Sequence, residues 1–138
     1  MVVAHLTAGI LLTVVLAGRI GWRLAGGRRI KASGSALGII FARTVEYTLY
    51  TLLIAEAGLG FAWRWGAGQP MSFFGLLTQP PFMAFPHETV TLIKQLHYWN
   101  AWLIVGLSIG HAGAALFHRF VLCDAVLDRM LLVSQPDT

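Results

Sequence analysis

The chain has 138 residues, of which 57% are hydrophobic and only 12% charged, with a mean hydropathy of +0.68. A soluble domain of this size would need a far more polar surface, so the composition specifies an integral membrane protein. The net charge of +4 does not point to nucleic acid, because the basic residues are segregated along the chain and flank its apolar segments.

Three segments are long enough to span a bilayer, at residues 2–25, 37–62 and 98–122. The first begins at residue 2 with no basic n-region and no small-residue cleavage site, so an anchor rather than a removable signal peptide is expected. Arg19, Arg23, Arg28, Arg29, Lys31 and Arg43 surround the first connection, and Arg119 and Arg129 follow the third span. Only Arg64 and Lys94 fall on the other side. By the positive-inside rule the N-terminus is outside, the 26–36 loop cytoplasmic, the 63–97 loop outside and the 123–138 tail cytoplasmic. Trp63, Trp65, Trp99 and Trp102 would then mark the outer interface and Trp22 the inner one.

The first connection is rich in Gly, Ser and basic residues. In the longer second connection, residues 71–85 are broken by Pro80 and Pro81 and are expected to be interfacial or re-entrant, followed by a short interfacial helix over 88–96. The tail after Leu122 reads as a cytoplasmic amphipathic helix. The single cysteine, Cys123, excludes an intramolecular disulfide and suggests no thiolate metal centre.

The histidines carry the chemistry. Fourteen positions, close to four helical turns, separate His97 from His111, so both project from nearly one face with a rise of about 21 Å. That is about two thirds of a hydrocarbon core of roughly 30 Å. His5 opens the first span at the same outer depth as His97. Two imidazoles at matched depth on neighbouring helices can supply both axial bonds of a six-coordinate haem iron. Gly9, one turn below His5, would let a macrocycle approach the helix. His111 lies deeper on the inner side, where a buried imidazole needs a partner, and no histidine on another helix stands at that depth. His118 shares its helix and suits a propionate or headgroup contact; His87 is expected to be solvated.

Gly106, Gly110 and Gly113 thin the third span, either for helix packing or for clearance beside a haem. Glu46 and Glu56 are intramembrane carboxylates, candidates for proton uptake or quinone contact or else snorkelling side chains. No His-Glu-x-x-His, glycine-rich phosphate loop or nucleophile elbow occurs, which leaves hydrolytic and nucleotide chemistry without support.

Residues 96–131, LHYWNAWLIVGLSIGHAGAALFHRFVLCDAVLDRML, strongly resemble the last transmembrane helix and tail of bacterial cytochrome b561 proteins. The N-terminal AHLTAGILL with Arg19-Ile20-Gly21-Trp22-Arg23-Leu24 is similar to that family's second helix. Leu49-Tyr50-Thr51-Leu52-Leu53, Gly58-Leu59 and Phe73-Phe74-Gly75-Leu76 are similar to its third helix and outer loop. The resemblance implies an all-α transmembrane bundle of the bacterial inner membrane, with the three spans corresponding to helices 2–4 of a four-helix bundle that holds two b-type haems. It implies that His5 and His97 ligate the outer haem and that His111 ligates the inner one together with a first-helix histidine. It also implies electron exchange with ubiquinone, superoxide oxidation at the outer face in some members, and a lysine before the outer ligand, a place that Lys94 occupies.

The chain departs from that pattern in two places. It starts about four residues before the second-helix histidine, and Glu46 stands where relatives often carry histidine. One haem is therefore expected from this chain, and two if a first helix is supplied. A start placed too late is favoured over a partner chain that brings the missing helix or a one-haem derivative. The leading expectation is a haem b carrier between the quinone pool and an outer-face redox partner. The alternatives are a haem-free scaffold subunit and a cytochrome b anchor for a dehydrogenase or hydrogenase.

Overall fold

The computed structural model describes residues 2–26, 36–81 and 83–122. The chain forms three long helices, α1 (Val2–Leu24), α2 (Ala36–Gly66) and α3 (His87–Phe120), with a small hairpin of β1 (Met71–Phe73) and β2 (Leu77–Gln79) between α2 and α3. All three helices are long and apolar enough to cross a membrane. With 31 and 34 residues, α2 and α3 exceed the roughly 20 residues that a span requires. The expected amphipathic tail helix, Cys123 and the basic loop residues 28–31 lie outside the described residues.

Two boundaries differ from the sequence expectation, and both enlarge helices at the expense of the loop drawn over 63–97. α2 runs on through Trp63 and Trp65 to Gly66, and α3 begins at His87 rather than Tyr98. Nothing between His87 and Tyr98 is Gly or Pro, so the short helix expected over 88–96 and the third span fuse into one. Pro86 sets the start: it is the N-cap, with φ −55° and ψ 149°, and its carbonyl accepts the Val90 N–H at 3.1 Å.

The segment expected to be interfacial or re-entrant is an antiparallel hairpin in register Met71↔Gln79 and Phe73↔Leu77. Its turn is left-handed at Phe74 (φ 53°) and Gly75 (φ 75°). A phenylalanine with positive φ is uncommon, and a tertiary contact holds it, because the Phe74 N–H donates to Thr7 Oγ1 of α1 at 3.0 Å. Thr7 and Met71 are both buried, so the hairpin seats on the first turns of α1. The approach to it is also tied down. Arg64 Nε donates to the Pro70 carbonyl at 3.0 Å and its Nη1 to Gln69 Oε1. The Phe85 N–H closes the loop onto the Gly66 carbonyl at 3.1 Å. Gly66 has no room for a side chain, since a Cβ would collide with the Phe85 ring.

α2 packs extensively on α3, whereas α1 rests on β1 and more sparsely on α2. Among the described residues no Cα of α1 comes within 8 Å of one in α3. Large apolar side chains such as Trp22, Leu37, Phe41, Ile109 and Phe120 are exposed, as suits helices whose outer faces meet hydrocarbon. Polar side chains inside the spans satisfy themselves locally: Thr13, Thr44 and Thr51 each donate to the carbonyl four residues earlier, at 2.8–3.0 Å.

Two stability predictions follow from these contacts. Thr7→Val leaves the Phe74 N–H without its acceptor and should cost about 1–3 kcal/mol, read as a lower thermal midpoint in mild detergent, while Thr44→Val should be close to neutral. An added methyl at Gly60 would sit 3.3 Å from His97 Cε1, whereas one at Gly58 meets nothing within 4 Å. Gly58→Ala should therefore gain most of the roughly 1 kcal/mol of helix propensity and Gly60→Ala should not, leaving Gly58→Ala the more stable variant.

Candidate functional site

The antiparallel packing of α2 on α3 brings the C-terminal part of α2 beside the N-terminal half of α3, and α1 delivers its first turns to the same end. His5 and His97 meet there. Their ring centroids are 6.1 Å apart with planes at 89°, across the gap in which the α1 and α3 backbones stay separate. The His97 side chain is 14% exposed, and His5 is exposed along the opening.

The His97 ring is framed on the α2 side. Its Cε1 lies against Gly60, where any larger residue would crowd it, and the Trp63 ring is 5.8 Å away at 48°. Glu56 Oε1 stands 3.1 Å from His97 Nδ1, and the Glu56 side chain is 16% exposed. That contact is at ion-pair distance but off the ring N–H direction, and the buried Nδ1 has no aligned hydrogen-bond partner. The carboxylate itself is anchored: Asn100 Nδ2 donates to Glu56 Oε2 at 2.7 Å and to the Leu52 carbonyl at 3.0 Å. Asn100 is one helical turn beyond His97 on α3, so a single polar side chain links both carboxylate and helix α2 to the histidine's own helix.

Lys94, also one turn from His97 but toward the start of α3, is exposed and holds its Nζ 5.7 Å from the Trp63 ring centroid. Trp63 thus neighbours both the Lys94 cation and the His97 ring. Arg64, the other basic residue on this side, is engaged in bracing the loop after α2.

His111 does not join this group. It lies fourteen residues further along α3 and is exposed; the remaining histidines, His87 and His118, are on α3 as well. A Cβ at Gly106, Gly110 or Gly113 meets nothing within 4 Å, so these glycines mediate no close helix packing within the described residues. At the same end of the bundle Glu46 pairs with Arg23 of α1. The Arg23 guanidinium lies over Tyr47 and Tyr50, at 5.5 and 5.8 Å from their ring centroids, and Arg19 Nε donates to the Tyr50 hydroxyl at 2.5 Å. This ionic and aromatic group joins the end of α1 to the start of α2.

Sequence reasoning missed Asn100, Gly60 and Trp63 as members of the His97 site. Asn100 carried the one readable signal, an amide inside a spanning helix, which has to find a partner on a neighbour.

The family model for prokaryotic cytochrome b561 matches residues 1–132 of this chain. The chain is 34% identical over 134 residues to cytochrome b561 homolog 2 of Escherichia coli (strain K12), a match that covers 96% of this chain and 71% of that protein. It is 36% identical over 92 residues to cytochrome b561 homolog 1 of the same organism, covering 65% of this chain and about half (51%) of that protein. With three membrane-length helices and a family match over nearly its whole length, this chain belongs to the prokaryotic cytochrome b561 family, whose membership implies a bacterial membrane protein that transfers electrons through haem b.

Proposed function

We propose that this chain binds one haem b between His5 and His97 and passes electrons through it between the quinone pool and a partner at the outer face. The observation that carries the reading is the 6.1 Å separation of the two perpendicular rings. A metal held by imidazole nitrogen at about 2 Å on each side places the two ring centres roughly 6 Å apart. Two imidazoles fill two coordination positions, and among the described residues no group of three or more His, Cys, Asp or Glu could hold a bare metal ion. The donor set therefore suits an iron whose other four positions belong to a macrocycle. The spacing of the helices is compatible with it, because among the described residues no Cα of α1 comes within 8 Å of one in α3 and a Cβ at Gly9 would meet nothing within 4 Å.

Bound there, the haem supplies a one-electron iron couple. The protein's own residues hold and shield it. His97 is fixed against Gly60 and Trp63 on α2. His5 is brought opposite by α1, which the hairpin holds through Thr7 and Phe74. In the orientation that places the N-terminus in the periplasm and the C-terminus in the cytoplasm, this site faces outward. Lys94 then sits at its entrance, where a cation attracts anionic partners, superoxide among them. His111 would serve a second haem only with a histidine from another helix.

The test is haem content after purification in mild detergent. His97→Ala and His5→Ala should each lose most bound haem, whereas His118→Ala should retain it; equal haem in wild type and His97→Ala would refute the ligand assignment. Lys94→Ala should keep its haem but slow reduction by anionic donors, with a weaker dependence of rate on ionic strength.

A further inference from the structure

We infer that Glu56, held by Asn100, is a positioning residue for His97: it takes the Nδ1 side of the ring, leaves Nε2 as the ligating nitrogen, and keeps the reduction potential of the bound haem low. The inference rests on the proposed role of His97 as a ligand and adds a residue that this role alone does not require.

Three observations carry it. His97 Nδ1 is buried without an aligned partner, which is costly in a low-dielectric interior and calls for an acceptor. The group within reach is Glu56 Oε1 at 3.1 Å. That carboxylate is not a loosely placed surface acid, because the Asn100 amide donates to its other oxygen at 2.7 Å and to the backbone of α2 at 3.0 Å. A small rotation that aligns Nδ1–H on Oε1 is thus the adjustment that resolves the orphan donor.

The chemical consequence is specific. A ligating imidazole that donates its second N–H to a carboxylate has its tautomer and orientation fixed and becomes a stronger donor to the metal. A more basic ligand at His97, with a negative charge behind it, would favour the ferric over the ferrous state, and hydrogen bonding around the ligands is one of the means by which a protein sets haem potential. Glu56 touches neither the macrocycle nor a substrate in this arrangement. Its influence passes entirely through His97.

The experiment is optical potentiometry of the haem-loaded full chain in mild detergent, with haem content measured alongside. Glu56→Gln, which keeps an acceptor of the same shape but removes the charge, should bind haem like wild type and shift the midpoint potential upward. Glu56→Asp should restore part of the shift. Asn100→Ala, which releases the carboxylate without removing it, should give a smaller upward shift and serves if Glu56→Gln fails to assemble. Glu88→Gln removes an exposed carboxylate from the first turn of the same helix and should leave the potential in place. Unchanged potentials in both Glu56→Gln and Asn100→Ala, or an equal shift in Glu88→Gln, would overturn the inference. Haem retained in His97→Ala would instead overturn the ligand reading on which it rests, so the two failures are distinguishable.

Discussion

A buried imidazole between apolar helices has to be partnered, and the arrangement at one end of this bundle is organised by that requirement. His97 is nearly enclosed between α2 and α3, where an unpaired polar ring would cost far more than in water. The neighbours that accommodate it come from one stretch of α2, in which Leu52, Glu56, Gly60 and Trp63 succeed one another at helical spacing. Leu52 and Glu56 bond Asn100, Glu56 also reaches His97, Trp63 lies beside the His97 ring, and Gly60 leaves that ring room. These polar contacts hold the register of the two helices, because a shift of one turn would separate Asn100 from both of its acceptors. Lipid competes poorly for such groups, which is why a few hydrogen bonds suffice where apolar packing alone distinguishes weakly between registers.

α1 is held differently, with its polar contacts near its two ends and Leu16 buried between them. Near His5 the hairpin grips it through the Thr7–Phe74 hydrogen bond. Near its other end Arg23 pairs with Glu46, and Arg19 bonds Tyr50. Between α1 and α3 the backbones stay apart, so the space in front of His97 is bridged by the His5 ring and not by helix packing. That geometry ties the hairpin to the site: whatever loosens the left-handed turn at Phe74 also loosens the placement of His5. The same antiparallel register of α2 and α3 carries Glu46 to about the level of His111, and there Glu46 is committed to Arg23.

The three helices were legible from hydropathy and length because lipid imposes the same requirement on every residue of a span. Their ends were not, because the same periodicity serves a helix inside and outside the membrane. Residues 88–96 read as a short interfacial helix leading into the third span, and no helix breaker separates them from Tyr98. The hairpin was hidden for the opposite reason: three-residue strands carry almost no alternation, and positive φ at Phe74 is imposed by Thr7, a residue distant in sequence. In the site, the histidines stood out because imidazole in lipid is rare, and Glu56 stood out as an intramembrane acid. Its attachment to His97 was not visible, since it depends on which faces of α2 and α3 meet. Gly60 gave no sign either, because a glycine that admits a neighbouring ring looks the same in sequence as one that packs against a helix.

The central claim, that two imidazoles from α1 and α3 clasp a single haem, is tested most directly by a pyridine haemochrome assay on the purified chain together with its dithionite-reduced visible spectrum. One haem b per chain is expected, with a sharp alpha band and a shifted Soret band on reduction. A folded but colourless protein would contradict it.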